Sequence, residues 1–130
     1  MTFSGLFLLL IATSSAHASD LCKEAYTTIE INQCAEAEYE KADKKLNVAY
    51  QGALKVSESV EDKQQRKDTR QGLIEAQRLW VKFRDKDCGA VYSLWSDGTI
   101  RGAMFWGCMH ARTEQRTKEL ESFTFQQPQT

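Results

Sequence analysis

The side chains that most often perform catalysis are sparse in this sequence and do not form a recognisable set. The chain has two histidines, and His110 is the one outside the apolar N-terminal stretch. A lone histidine beside a helical core stripe is more often structural than catalytic. Asp85 and Asp87 form a carboxylate pair among basic residues, as surface charges do, and Asp97-Gly98-Thr99 predicts a turn, not a phosphate-binding loop. We therefore expect no enzyme activity and no cofactor.

The four cysteines, Cys22, Cys34, Cys88 and Cys108, indicate cross-links and not a metal site. An even cysteine count in an exported chain predicts disulfides, because exported compartments are oxidising. Zinc sites usually show short paired spacings, and this chain has no Cys-x-x-Cys motif. Four cysteines allow three pairings. The sequential one, Cys22–Cys34 with Cys88–Cys108, closes the shortest loops and is preferred, with the other two left open.

The N-terminus has the pattern of a secretory signal peptide. Residues 1–18 contain no charged side chain, residues 6–12 are apolar, and Ala16-His17-Ala18 is a small-x-small cleavage site. The apolar run is too short to span a bilayer, although the lack of a preceding Lys or Arg is atypical. We expect cleavage before Ser19, a single periplasmic or secreted domain over residues 19–130, and no membrane anchor after cleavage.

Composition and hydrophobic spacing predict an all-α protein. One proline and seven glycines leave few chain breakers in 130 residues. Thr27 and Glu30 have the spacing of a capping box at the start of a long helix, and breaks are expected at 57–59 and 89–98. Apolar residues recur every three or four positions between these breaks. The predicted core positions are Tyr39, Ala42, Leu46, Ala49, Ala53, Val56 and Val60, then Leu73, Ala76, Trp80 and Phe83, then Met104, Cys108, Ala111 and Leu120.

Three helices joined by short connections are predicted to pack antiparallel. Alternating helix directions would bring all four cysteines to the same end. The expected fold is therefore an antiparallel three-helix bundle with a short N-terminal helical segment, stapled at one end by two disulfides. The 17 basic and 18 acidic residues nearly balance, which gives no electrostatic case for nucleic-acid binding.

Polar residues beside the apolar positions are a second group of candidates. An unpaired buried charge is costly, so we expect a structural network between helices in which Asp43 or Glu119 pairs with Arg84 or Arg116. The alternative for these residues is a ligand pocket. The expected network comprises Asp43, Asn47, Gln77, Arg84, Arg116 and Glu119.

These residues fall into a longer pattern. It reads Cys22…Cys34, Asp43-x-x-Leu46-Asn47-x-x-Tyr50, Ala76-Gln77-Arg78-x-Trp80-x-x-Phe83-Arg84-Asp85-x-x-Cys88, Cys108, and Thr113-x-x-Arg116-x-x-Glu119-Leu120. The pattern resembles the LprI-like lysozyme-inhibitor domain family over nearly the whole chain after residue 18. The resemblance implies a small exported helical protein with paired cysteines. The named member of that family is a mycobacterial lipoprotein that inhibits lysozyme, and most members have no assigned function. Ser19-Asp20-Leu21 before Cys22 is not a lipobox, so the chain is similar to the soluble periplasmic members.

The segment 89–101 is the candidate partner-binding element. An inhibitor needs only a projecting element that occupies the enzyme's cleft and complements its charge. Tyr92 and Trp95 are candidate anchors, because Tyr and Trp dominate interface hot spots, and Asp97 is expected to meet a cationic partner. The alternative is that Tyr92, Leu94 and Trp95 pack on Phe105 and Trp106 as a second small core around the disulfides.

The residues and the resemblance together leave two candidate functions. The first is a non-enzymatic binding protein that inhibits lysozyme, or binds another extracytoplasmic protein, by occluding a cleft. The second is an envelope helical module that binds a small ligand or another envelope protein and has no lysozyme target.

Overall fold

The computed structural model describes residues 22–64 and 68–125, and three helices form most of this part of the chain. Helix α1 spans Thr28–Gln64, α2 spans Thr69–Leu94 and α3 spans Arg101–Phe125. A short helical segment at residues 22–23 precedes α1, and the described residues contain no strand. The all-α prediction is confirmed. The predicted signal peptide, residues 1–18, lies outside the described residues.

Contacts between the helices fix their directions. Arg70 at the start of α2 pairs with Glu58 late in α1, whereas Arg84 farther along α2 pairs with Asp43 earlier in α1, so these helices are antiparallel. Helix α3 returns antiparallel to α2 and therefore runs parallel to α1. The α1–α3 interface is the most extensive, and α2 packs more lightly on both partners. In the described part of the chain, no helix combines the length and the apolar character that crossing a bilayer requires.

The core lies mainly along α1. Its buried face consists of small residues around a single leucine, which lets α3 approach closely. Leu46, Leu73 of α2 and Leu120 of α3 belong to one buried cluster, with Trp80 packed against it. The α1 prediction is confirmed at its centre, where the buried positions are Ala42, Leu46, Ala49 and Ala53. Tyr39, Val56 and Val60 are partly buried.

The predicted break at 57–59 is wrong, because α1 continues to Gln64. Ser57 is fully buried, and its hydroxyl donates to the Leu54 carbonyl oxygen at 2.7 Å. A serine hydroxyl satisfied inside its own helix does not need a helix end. The capping box that starts α1 is confirmed, since the Glu30 carboxylate accepts from the Thr27 amide at 2.9 Å and the Thr27 hydroxyl accepts from the Glu30 amide at 3.2 Å.

The predicted core face of α2 is correct at Leu73 and wrong at two of its other positions. Ala76 is exposed and Phe83 is 53% exposed. The buried face lies one residue further round the helix, and two of its members are polar, so apolar spacing does not reveal it. The buried residues of α2 are Leu73, Gln77, Arg84 and Cys88.

The predicted break at 89–98 is only partly correct. Helix α2 runs through Gly89 to Leu94, and the connection to α3 is a short turn at residues 95–100. In α3, Leu120 is buried as predicted, but Ala111 is exposed and Met104 and Cys108 are only partly buried. Threonine and methionine fill the buried face in their place. Its members are Met109, Thr113, Thr117 and Leu120.

Candidate functional site

Both disulfides lie at the end of the bundle where α2 passes into α3. Cys22 pairs with Cys34 and Cys88 pairs with Cys108, with Cα–Cα distances of 5.5 Å and 5.6 Å. The preferred sequential pairing is therefore confirmed. The first bridge holds the segment before α1 against that helix. The second joins α2 to α3, just behind the turn at 95–100.

The backbone of the turn is fixed by its own hydrogen bonds. The Gly98 amide donates to the Trp95 carbonyl oxygen at 2.9 Å, and the Trp95 amide donates to Val91 in the last turn of α2 at 3.3 Å. Arg101 Nη1 reaches back to the Ser96 carbonyl oxygen at 3.1 Å. These contacts leave the turn a defined shape at the exposed end of the molecule.

Asn32 of α1 ties the far side of the turn to the bundle. Its Oδ1 accepts from the Ala103 amide at 2.6 Å, and its Nδ2 donates to the Thr99 carbonyl oxygen at 3.3 Å. The amides in the first turn of a helix have no partner within the helix, so Asn32 supplies a cap for α3 from another element. Gly102 permits this approach, because a Cβ there would lie 3.1 Å from Asn32 Cγ.

The aromatic residues of the segment divide into packed and exposed positions. Tyr92 meets Phe105 edge to face at 6.0 Å between ring centroids and lies under the Arg101 guanidinium, yet it is 39% exposed. Trp95 is 40% exposed, and Leu94 is 80% exposed. The alternative of a second small core thus holds for one edge of Tyr92 and not for Leu94. Asp97 is exposed at the tip of the turn.

An open cleft of about 500 Å³ lies beside the turn. Tyr92 forms part of its wall, and most of the other lining groups are polar. Asp97 and Arg101 bring one negative and one positive side chain to this cleft. The side-chain amide of Asn32, which belongs to α1, also lines it. This end of the molecule therefore offers a partner a projecting turn, an aromatic ring and charges of both signs.

The predicted polar network lies in the middle of the bundle, away from the turn. Arg84 is only 6% exposed, and its Nη1 donates to Asp43 Oδ1 and to Thr113 Oγ1, both at 3.1 Å. Its guanidinium also lies against the rings of Tyr39 and Trp80, at 5.4 Å and 5.0 Å from their centroids. One buried cation thereby joins all three helices.

The remaining network residues surround this centre. Arg116 Nε donates to Gln77 Oε1 and its Nη1 to Glu119 Oε2, both at 3.0 Å, while Asn47 donates to Asp43 at 3.4 Å. In the described residues, every buried side-chain nitrogen and oxygen has a hydrogen-bond partner. These contacts are those of an interhelical brace.

Tyr39 is part of the same interhelical brace, because its ring and hydroxyl contact Arg84 and Asp43. Burial raises the pKa of the Tyr39 hydroxyl above its ordinary value, with the carboxylates of Asp43 and Asp85 adding to the rise and Arg84 opposing it. The hydroxyl therefore stays protonated at neutral pH and donates to Asp43 at 3.5 Å. It is suited to hold the Arg84–Asp43 pair and not to accept a proton.

One set of side chains has the spacing of metal ligands in the described part of the chain, namely Asp87, Cys88 and Cys108. It does not suit a metal ion, because both sulfur atoms are bonded to each other and Asp87 pairs with Arg112 at 2.8 Å. His110 is 3.6 Å from Glu114 on the same helix, as a surface pair.

Sequence reasoning placed Tyr92, Trp95 and Asp97 at this end and included Arg101 in the candidate segment without giving it a role, but it missed Asn32. Asn32 contacts residues about seventy positions away, at Thr99 and Ala103, so no local pattern could reveal it. The sequence indicates the position of Arg101, because a basic residue directly after a predicted turn is expected at the edge of that turn.

Known proteins share most of this chain's sequence pattern. Residues 19–120 match the family profile described as "Lysozyme inhibitor LprI". The uncharacterized protein R02472 of Rhizobium meliloti (strain 1021) is 28% identical over 124 residues, which cover 89% of each chain. The uncharacterized protein YecT of Escherichia coli (strain K12) is 32% identical over an alignment of 100 residues that covers 72% of this chain and 62% of YecT. No solved structure matches the chain significantly. The chain belongs to the LprI lysozyme-inhibitor family.

Proposed function

We propose that this protein is an extracytoplasmic, non-enzymatic binding protein that inhibits lysozyme by placing the 95–100 turn in the substrate cleft of the enzyme. Family membership supports lysozyme as the target. The two disulfides support an oxidising compartment, periplasmic or secreted.

The observation that carries the proposal is the braced turn. Its backbone is held by hydrogen bonds within the turn, by Asn32 from α1 and by the Cys88–Cys108 bridge behind it. Trp95 and Asp97 remain exposed on this fixed backbone. A binding element that is already ordered avoids much of the entropy cost of association, so it binds more tightly than a mobile loop with the same side chains.

The charges at the turn suit such a cleft. Lysozyme cleaves its substrate with two carboxyl groups that flank the scissile bond. Arg101, exposed on the rim of the turn, is the side chain placed to meet them. Trp95 would fill a sugar subsite beside the carboxyl groups, and Asp97 would pair with a basic residue on the rim of the enzyme.

Inhibition can be measured directly. The oxidised protein is mixed with lysozymes of the c and g types, and the lysis of bacterial cell walls is followed. We expect dose-dependent inhibition of at least one type. Undiminished lysis at a large molar excess of the protein over both enzymes would contradict the lysozyme target.

Variants then test the surface. Trp95→Ala is expected to weaken inhibition by roughly thirtyfold or more, as loss of an aromatic hot spot does, and Asp97→Ala by less. Phe125→Ala is the matched control, because Phe125 is an exposed aromatic residue at the opposite end of α3. If inhibition occurs and neither turn variant weakens it, the target is right and the turn is the wrong surface.

The cleft beside the turn supports a second candidate, an envelope module that binds a small polar ligand. Its volume of about 500 Å³ and its polar lining suit such a molecule. Gly98→Ala would narrow this cleft, and its Cβ would make only ordinary contacts, at 3.5 Å with the Trp95 carbonyl oxygen and at 3.9 Å with Ile100. If the protein has this second function, the substitution at Gly98 should abolish ligand binding. Trp95→Ala should then have little effect on ligand binding.

A further inference from the structure

One side of α2 carries a strip of exposed apolar side chains, although the Arg112 guanidinium of α3 lies 5.7 Å from the ring centroid of Phe83 within it. Leu79 is 66% exposed and Leu94 is 80% exposed, with Phe83 half-exposed between them. We call this surface the α2 strip; its residues are Ala76, Leu79, Phe83, Ala90 and Leu94, all exposed. From Ala76 to Leu94 it extends about 27 Å along one helix.

A row of basic residues borders the α2 strip. Arg78, Lys82 and Lys86 are spaced four residues apart, so they lie in line along the helix, and all three are exposed. Among the residues that the structure describes, none of these three cations has a carboxylate within 4.0 Å, in contrast to Arg70 and Arg112. We call Arg78, Lys82 and Lys86 the cationic row.

The acidic residues on the same side form no ion pair with the row. Glu75 accepts a hydrogen bond from Gln71 at 2.8 Å, and Asp85 pairs with Arg84 at 3.4 Å. Both carboxylates lower the positive potential beside the row, but the three cations outnumber them, so a positive excess faces a partner. Because the whole chain has a net charge of -1, this local excess of positive charge is a property of the α2 face and not of the protein in general.

A second copy of the chain does not fit this face in an antiparallel pairing. In an antiparallel pairing of two α2 helices about a two-fold axis, each flank of the strip meets the same flank of the other copy. The two cationic rows would then lie side by side and repel each other. An occupant with negative charge beside an apolar layer fits better.

We propose that the α2 strip and the cationic row bind the protein to the surface of an anionic phospholipid bilayer. A helix with an apolar side and basic residues beside it lies in the interface, with the apolar side chains below the headgroups. Lys and Arg then extend towards the phosphates, which attract them. The strip lies on one side of a single helix, and the open clefts beside the turn and beside α1 have other linings.

This surface is distinct from the turn at 95–100, so the proposal goes beyond lysozyme inhibition. When α2 lies on the membrane, the end of the bundle that carries Trp95 and Asp97 lies beside the membrane plane. That end stays open to a partner. Attachment of this kind is reversible and needs no membrane-spanning helix.

Vesicle flotation tests the proposal. The full 130-residue chain is expressed, and the oxidised protein recovered from the cell envelope is mixed with vesicles that contain phosphatidylglycerol or only phosphatidylcholine. Mass spectrometry defines the N-terminus of the protein used. We expect binding to the phosphatidylglycerol vesicles alone, and weaker binding as the salt concentration rises. No binding to anionic vesicles would overturn the proposal and leave the face to a protein partner.

Paired variants locate the binding face. Arg78→Glu with Lys82→Glu, and separately Leu79→Ser with Phe83→Ser, are each expected to lower the vesicle partition coefficient by at least roughly tenfold. Their helicity, read by circular dichroism, should match that of the parent.

The control changes the same charge elsewhere. Lys44→Glu with Lys55→Glu alters two exposed lysines on the outer side of α1, where Val48 is the exposed large apolar residue between them. We expect this pair to reduce binding much less than the α2 pair. An equal loss of vesicle binding would mean that net charge alone drives adsorption, and it would overturn the proposal. A dimer of the parent protein that Leu79→Ser dissociates would also overturn it.

Discussion

Gly102 marks the closest approach of α1 and α3 at the candidate site. The Asn32 side chain is held at both of its ends, by the Ala103 amide and by the Thr99 carbonyl oxygen. It cannot retreat from a new methyl group without losing one of these bonds. The absence of a side chain at position 102 is therefore a condition for the cap on α3.

A pair of glycine substitutions tests this requirement. Gly52→Ala in α1 should stabilise the protein by up to about 1 kcal/mol, because alanine favours the helix and a Cβ there meets nothing within 4 Å. Gly102→Ala should gain less than Gly52→Ala or lose stability, because the loss of the Asn32 cap costs about 1 kcal/mol and offsets the same gain in helix propensity. Urea unfolding measures both. An equal gain from both substitutions would show that Asn32 moves aside at no cost.

At the scale of elements, α1 organises the other two helices. Besides the Asn32 cap on α3, Glu61 of α1 accepts from the Arg70 amide in the first turn of α2 at 2.7 Å. Asp68, which precedes α2, has a left-handed backbone and makes no side-chain cap of its own. The first turns of both later helices are thus capped by side chains of α1, so each later helix begins in a position that α1 defines.

The start of α1 has a cap that responds to pH. Hydrogen bonds from the Thr27 amide, the Thr27 hydroxyl and the Tyr26 amide hold the pKa of the Glu30 carboxyl below its ordinary value of 4.5. The cap therefore contributes its full stabilisation above that ordinary value, and the contribution is lost as the pH falls through the lower pKa of the folded protein.

Amide chemical shifts can follow this titration. The Thr27 amide, which donates to Glu30, is expected to titrate with a midpoint below 4.5 in NMR spectra. Glu30→Gln is the control, because glutamine can accept the same hydrogen bond without titrating. A midpoint at or above the ordinary value would mean that the capping box is not formed in solution.

The elements also explain where the sequence was sufficient and where it was not. Helix α1 was predicted well because its buried face is apolar, at Leu46 and the alanines around it. In α2 the buried face includes Gln77 and Arg84, whose polar groups are satisfied by Arg116, Asp43 and Thr113 from other helices. Apolar spacing therefore selected Ala76 and Phe83, which lie on the neighbouring, exposed α2 strip.

The candidate site shows the same division. Aromatic and turn-forming residues near position 95 directed attention to the right end of the molecule, because their types suit an interface. The cap from Asn32 depends on a residue far away in the chain. Contacts of that kind arise only when the helices are assembled, so one sequence without its fold does not reveal them.

At the scale of the whole molecule, the two disulfides stabilise different parts of the bundle. Cys22–Cys34 spans 12 positions and attaches a short segment to the start of α1. Cys88–Cys108 spans 20 positions and fastens α2, the most lightly packed helix, to α3. Cys88 is fully buried, so this second bridge is also part of the interior.

Separate removal of the bridges should therefore have unequal effects. Cys88→Ala with Cys108→Ala is expected to cost about 3 kcal/mol and to lower Tm by roughly 10 °C or more, because it frees a whole helix. Cys22→Ala with Cys34→Ala should cost less, because the freed segment can fray while the bundle stays folded. Thermal unfolding followed by circular dichroism compares the two variants.

Hydrogen exchange gives the control, because it shows where each variant opens. Loss of Cys88–Cys108 should speed exchange at the Ala103 amide and at the end of α2, whereas loss of Cys22–Cys34 should speed it only around Thr27 and Ile31. The first variant should also inhibit lysozyme more weakly than the second, because the turn loses its support from behind. Equal changes in Tm with the same exchange pattern would mean that the bundle unfolds as one unit from either bridge.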